Sequence, residues 1–520
     1  MRALVTAVVL AFSLPAVAQT VATDAGQVEG KTLASGVKAW LGVPFAAPPL
    51  RDLRWKAPQP VVKWDGVLHT DRFAPMCLQA MRARKMNHYF GNEAISEDCL
   101  YLNVWAPSSG EKLPVIVWIY GGGFTVGSAS MANYSGEGLA QKGVVRVNLA
   151  YRVGALGFFA HPELTHEGKG HSGNYGLMDQ VAGLEWVKRN IAAFGGDPDN
   201  VTIMGQSAGS MSVSLLQIDQ RAHGLFHKAV GMSGSAHGGT MGPVPLAAGE
   251  ARGTAVQEKL GAASIEAMRD IGGDRILAAA ASVPGGAIVI DGDHITGSAA
   301  ETYAAGKHSD VPLLVGFTRD ERFANLGPAK TVAEYQAVVA NAFPATAPAV
   351  LKAYPVKDDA GVQRALVDLM RDMSVGRQMF EWAGDTVRNG KAPAYAYFFT
   401  RRQPYSAGIS FSDHDPATVG AYHTGEVPYF LRTLESLNLF RKTRDWEPGD
   451  LTLSDTMSGA ILSFARTGTP GWAAFDAKKP KLMMFGFDGK MIDWPNAKAL
   501  PLLSEGQSTP PPATPGRIRD

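Results

Sequence analysis

Five short runs along the chain, residues 115–120, 144–149, 201–204, 311–317 and 394–399, are dominated by apolar residues. They lack the regular apolar–polar alternation of a strand with one wet face, which predicts strands covered on both sides. Residues 177–193 follow another rhythm. Val181, Leu184, Val187 and Ile191 recur at steps of three and four, on one face of a helix. Strands alternating with helices predict an α/β protein built on a mostly parallel sheet. Two further stretches, the Ala- and Gly-rich 241–281 and the mainly helical 331–388, are expected to be insertions covering the face that carries the site.

The two ends depart from this pattern. Arg2 precedes an apolar run over residues 3–14 that is too short to span a bilayer, and Ala16-Val17-Ala18 fits the small-residue cleavage rule. Residues 1–18 therefore read as a signal peptide, cleaved to leave Gln19 first and an exported protein, periplasmic or secreted. No other segment approaches the ~20 apolar residues of a spanning helix, so no membrane anchor is expected after cleavage. Residues 508–520 carry Pro510, Pro511, Pro512 and Pro515 and read as a disordered tail. Between the ends there is no repeat and no long polar linker, and residues 19–507 read as one domain.

With 46% hydrophobic residues, 19% charged residues and a net charge of +1, the composition is that of an ordinary globular protein. Nothing in it points to a nucleic-acid partner. The chain has two cysteines, Cys77 and Cys99. In an exported protein an isolated pair is expected to form a disulfide. Closing a loop of about 21 residues, it would contribute about 3 kcal/mol in the chain-entropy account.

Candidate chemistry begins at Gly205-Gln206-Ser207-Ala208-Gly209. It follows the run 201–204 and precedes the apolar-rich 210–216, which has helical length. Strand, Gly-x-Ser-x-Gly, helix is the pattern of a nucleophile elbow. In a chain with 58 glycines the pentapeptide alone is weak, and a serine nucleophile also needs a base, an acid to orient the base, and donors for an oxyanion. Donors are available in Tyr120-Gly121-Gly122-Gly123-Phe124, a Gly-rich loop after a strand, with Tyr where the common esterase version has His. The acid and the base should follow the serine in that order. Asp320 and Glu321 both lie just past the 311–317 strand, and spacing does not choose between them. Of 12 histidines, His414 and His423 both fall after the 394–399 strand. The trio Asp413-His414-Asp415 could hold a metal, although a solvated turn is the simpler reading.

From about Gly42 to Trp494 the chain resembles the type-B carboxylesterases, the carboxylesterase/cholinesterase group of α/β-hydrolases. The likeness rests on the Gly-Val-Pro-Phe-Ala-x-Pro-Pro stretch at Gly42, Ser96–Val104, Tyr120–Phe124, Tyr151–Gly154, Gly173–Gln180 and Asn190–Pro198, in the family's order. The resemblance implies an α/β-hydrolase fold and a serine esterase with no metal or organic cofactor, acting on small-molecule esters through an acyl-enzyme. It implies Ser207 as nucleophile, Glu321 as acid and His423 as base. The amides of Gly122, Gly123 and Ala208 would be the oxyanion donors, and Cys77–Cys99 would be the family's first disulfide.

Several positions depart from the family pattern. Arg322 replaces a glycine after the acid, and Thr424 replaces a glycine after the base. Gln206 replaces the glutamate common in the family's elbow, which removes a negative charge beside the nucleophile. No tryptophan lies between the cysteines, where cholinesterases carry one for choline. Arg82, Arg84 and Lys85 lie there instead, with His88 and Tyr89. Phe124, Gln206, Arg82, Arg84 and Lys85 are the candidate pocket residues, and neutral or anionic esters are expected over choline esters. Amide or lactam hydrolysis on the same triad, and a non-catalytic interaction module of the same fold, are the alternatives.

Overall fold

The computed structural model describes residues 19–80, 93–238, 242–286 and 288–504. The expected signal peptide, the basic residues Arg82, Arg84 and Lys85, and the tail at 508–520 lie outside these.

Among the described residues a 13-stranded sheet runs through the molecule, twelve strands in one path and Val67–His69 paired beside Gln27–Thr32. Its centre is parallel and uses β1 (Leu113–Ile119), β2 (Val145–Leu149), β3 (Gly196–Gln206), β4 (Lys228–Met232), β5 (Leu313–Thr318), β6 (Ala394–Phe399) and β7 (Lys481–Phe485), in the order β2-β1-β3-β4-β5-β6-β7. Antiparallel strands extend both edges: Tyr101–Ala106, Lys38–Pro44, Gln27–Thr32 and Gln19–Ala22 beyond β2, and Lys490–Asp493 beyond β7. Every residue of β4, β5 and β6 is buried. Successive side chains point to opposite faces, so both faces are covered, as the apolar runs require.

The cover includes helices α1 (Tyr175–Asn190), α2 (Ala208–Ile218), α3 (Val362–Arg371), α4 (Arg377–Asn389) and α5 (Pro448–Thr467). α2 packs on β3 and β4, α4 on β5 and β6, and α5 on β1 and β3. Two of the sequence stretches that carry the family resemblance meet beneath this layer. Arg152, after β2, forms a buried ion pair with Asp179 of α1 at 2.7 Å.

The chain leaves β1 toward β2 on one side and later leaves β3 toward β4 on the other. The carboxyl ends of β1 and β3 are therefore the switch point of the sheet, where open α/β sheets hold their ligands. The Gly-rich loop follows β1 and the Gly-x-Ser-x-Gly turn follows β3.

Some boundaries moved. β3 runs from Gly196 to Gln206, well beyond 201–204, because Gln206 still pairs with Met232 of β4 and the register with β1 resumes across an irregularity between Gly196 and Val201. β5 starts at Leu313, since Pro312 has no N–H to give the ladder. The helix at 177–193 is α1, ending at Asn190 and tightening into a 3-10 turn, Ile191–Phe194, that stops at Gly195 with φ +85°. Within 241–281 three helices, Leu246–Leu260, Ile265–Arg269 and Gly273–Ala281, build a separate apolar cluster with Trp55 and Phe159. The last helix of 331–388, α4, belongs to the layer against the sheet, with Trp382 filling the space that a side chain at Gly231 would need.

Cys77 and Cys99 form a disulfide with a Cα–Cα distance of 4.9 Å. Replacing both with serine is expected to cost about 3 kcal/mol, read as a lower urea midpoint. A midpoint shared by the variant and the oxidised parent would remove the bond from the stability account.

Candidate active site

β3 delivers Ser207 in an unusual backbone conformation, φ +58° and ψ −126°. A non-glycine residue there is strained and must be held by its surroundings. Two hydrogen bonds hold it: Ser207 N donates to Met232 O at 2.8 Å, and Met211 N donates to Ser207 O at 2.9 Å. The flanking glycines serve contact. A Cβ on Gly205 would lie 2.3 Å from Gly209 O, and one on Gly209 would lie 2.1 Å from Ile119 O. Only bare backbones can cross so closely, so the strain of the turn falls on the serine itself.

The Gly-rich loop passes against this turn. A Cβ on Gly121 would lie 2.3 Å from Gln206 O and 2.9 Å from Ser207 Cβ. Gly122 has φ +122° and Gly123 φ +63°. Among the described residues the amides of Gly122, Gly123 and Ala208 have no acceptor in the protein, although Thr125 and Val126 both donate to Gly122 O. Ala208 opens α2, where an unpaired N–H is expected. Tyr120 is an anchor for the loop. Its hydroxyl donates to Tyr151 O at 2.8 Å, the Tyr151 hydroxyl donates to Tyr120 O at 2.8 Å, and the rings stack at 4.4 Å. Phe124 is buried in the core, edge-on to Phe158 at 5.1 Å.

Of the two candidate acids, Glu321 reaches a histidine. It is fully buried, with one oxygen 2.8 Å from His423 Nδ1 and the other accepting from Thr318 N at 3.2 Å. Burial works to raise its carboxyl, but the facing His423 and the hydrogen bonds from Ser233 and Thr318 N outweigh that and hold it below the ordinary carboxylate range. Asp320 turns away to accept from Ala421 N at 2.6 Å. His414 is engaged elsewhere: Tyr405 Oη lies 2.9 Å from its Nε2, and it stacks between Phe411 and Tyr422. Asp415 caps its own turn through Ala417 N. Among the described residues no group of three His, Cys, Asp or Glu side chains could hold a metal ion.

Gln206, 1% exposed, touches the ring of His423. Its Nε2 is 3.0 Å from His423 Nε2 and 3.4 Å from Nδ1. An atom that close to both ring nitrogens cannot lie along either in-plane axis. It lies over the ring, while Phe323 meets the imidazole at right angles with centroids 4.3 Å apart. Gln206 therefore does not occupy the in-plane axis of Nε2. Among the described residues no hydrogen bond joins Ser207 Oγ to His423, and such bonds often tighten only in a substrate complex. Thr424, after the histidine, has φ +77°, a conformation a glycine would adopt without steric cost.

A second acid stands behind the first, and its role was not visible in the sequence. Glu426 is fully buried, and its Oε1 accepts from Ser233 Oγ at 3.4 Å and Tyr397 Oη at 3.5 Å. Ser233, itself at φ +57°, is thus shared between the two carboxyls. Burial and the charge on Glu321 push Glu426 up to about 8, which favours its neutral form at pH 7. In the sequence it is the glutamate that closes the family's element around the histidine, Gly420-Ala421-Tyr422-His423-Thr424-Gly425-Glu426.

The comparisons with known proteins identify a family and a fold. The sequence profile described as the Carboxylesterase family matches residues 17–500. The chain is 36% identical over 488 residues to the fumonisin B1 esterase of Sphingopyxis macrogoltabida, covering 89% of this chain and 86% of that one. It is 33% identical over 482 residues to the para-nitrobenzyl esterase of Bacillus subtilis (strain 168), covering 88% and 91%. A solved structure titled PNB esterase superposes with a TM-score of 0.76 at 29% identity, over 93% of this chain and 99% of that one. This is the α/β-hydrolase fold. No helix among the described residues is long and apolar enough to cross a membrane.

A raised carboxyl has a fixed sign in the stability curve. Its contribution is complete below the unfolded value near 4.5 and is lost as pH rises through about 8. Glu426→Gln removes that slope, so the stability of the variant relative to the parent should be more favourable at pH 8 than at pH 5. Urea unfolding at the two pH values measures this, and an equal difference at both would contradict it.

Proposed function

The chain belongs to the carboxylesterase family and is a carboxylic-ester hydrolase; we propose that it works through Ser207, His423 and Glu321 by way of an acyl-enzyme. The observation that carries this reading is the 2.8 Å contact of Glu321 with His423 Nδ1, which leaves Nε2 free of the acid, while Gln206, next to Ser207 in the chain, touches the same ring. His423 takes the Ser207 proton as the hydroxyl attacks the ester carbonyl. Glu321 holds the ring in the tautomer that accepts at Nε2 and offsets its charge once protonated. The amides of Gly122, Gly123 and Ala208 receive the oxyanion, and loss of one such donor raises the barrier by about 3 kcal/mol. His423 then protonates the leaving alcohol and activates water against the acyl group.

The preference we propose is for neutral or anionic small-molecule esters over choline esters. Gln206 supports it, because an uncharged amide stands where a carboxylate would attract a cation. The basic stretch with Arg82, Arg84 and Lys85 supports it from the sequence. The N-terminal apolar segment supports export, into the periplasm or out of the cell.

Two measurements test the reading. A fluorophosphonate should label Ser207, and Ser207→Ala should lower kcat by more than about a thousandfold; a variant that keeps its activity would overturn the triad. On an ester panel, turnover of a carboxylate-bearing ester should decline with added salt more than that of a neutral one. Equal responses would remove the anion preference, with Arg82→Ala/Arg84→Ala/Lys85→Ala as the control.

A further inference from the structure

Asp320 is 5% exposed and sits beside the acid, yet the chemistry above does not use it. Its backbone N donates to Ala421 O at 3.0 Å, and its Oδ2 accepts from Ala421 N at 2.6 Å. The same two residues are thus bonded in both directions. One position further along the acid loop and two along the base loop, Glu321 meets His423 at 2.8 Å. The acid loop after β5 and the base loop after β6 are therefore laced by two adjacent rungs, one structural and one at the reacting groups. Gly420, at φ +71°, lets them lie flush, since a Cβ there would come within 2.2 Å of Asp320 Oδ2. Arg322, which replaces the family glycine, adds a further tie by donating to Thr418 O at 3.1 Å.

The buried Asp320 charge is matched by two arginines. Arg319 lies 3.1 Å from Oδ2, and Arg364 of α3 pairs with Oδ1. Burial opposes the charge, but the Arg364 hydrogen bond, the Arg319 charge and the Ala421 amide hold the carboxyl below its ordinary value. Arg364 is itself fixed by Asp368 at 2.8 Å. Arg364 and Arg371 of the same helix both donate to Arg319 O at 3.4 Å. The helix thus braces the loop that carries the acid.

We propose that Asp320, with Arg364 as its counter-ion, is a positioning residue that sets the separation of Glu321 and His423 during turnover. The inference rests on the Ser207–His423–Glu321 reading. Its physical basis is the steep dependence of rate on geometry: a displacement of about 1 Å in a reacting group can cost about a hundredfold.

The test compares Asp320→Ala, Asp320→Asn and Arg364→Met with the full-length parent. Fluorophosphonate titration counts competent Ser207 sites, so that kcat is expressed per site and a partly folded variant is not misread. Asp320→Ala should lower kcat per site about thirtyfold with KM within about twofold. Asp320→Asn should recover most of the loss, because its amide oxygen still accepts from Ala421 N. Arg364→Met, altered at a partly exposed position, should lower kcat per site about fivefold. If Asp320→Ala does not fold, Arg364→Met decides. Unchanged kcat per site, or equal losses in the Ala and Asn variants, overturns the proposal alone. A parent enzyme whose Ser207 takes no fluorophosphonate overturns the triad, and the inference falls with it.

Discussion

The site depends on bare backbone meeting bare backbone at the carboxyl ends of β1 and β3. Gly205, Gly209 and Gly121 have no side chain because an oxygen of a neighbouring chain segment occupies the space where one would begin. That contact forces Ser207 into a strained turn and lifts its hydroxyl clear of the sheet. It also brings the unpaired amides of the Gly-rich loop and of α2 to the same place. A large, doubly covered sheet is what makes such strain sustainable, since the strands on either side cannot yield without opening a core that is buried at every position of β4, β5 and β6.

The electrostatics behind His423 follow from burial. Two carboxyls, Glu321 and Glu426, share the hydroxyl of Ser233 in a region without solvent. Only one can carry charge at low cost, and it is the one facing the imidazole. Glu426 thus leaves Glu321 as the single anion at the ring. Gln206 continues the same economy on the other side of His423, contributing a neutral amide over the ring.

Local signals in the sequence located the elbow, the Gly-rich loop and the central strands, because a strand–turn–helix unit and its glycines are written in consecutive residues. Neighbouring residues that differ only in where a long-range bond takes them could not be told apart by spacing. Asp320 and Glu321 lie on one short loop, and it is the reciprocal bond to Ala421, about a hundred positions away, that turns one to the backbone and the other to His423. His414 and His423 were separated in the same way, the first by an aromatic stack that no periodicity announces. The family resemblance had chosen Glu321 and His423, and the contacts supply the physical reason. Glu426 was legible as a residue but not as a neutral one, since its protonation comes from tertiary burial.

The crossed bonds of Tyr120 and Tyr151 carry a consequence for any substitution at either position. Each hydroxyl satisfies the other residue's carbonyl, so each tyrosine is accommodated only in the presence of its counterpart. Loss of either ring would strand a buried oxygen beside the Gly-rich loop that packs against Ser207. The two rings act as one part, so a substitution at Tyr120 is expected to be felt thirty-one residues downstream, at Tyr151.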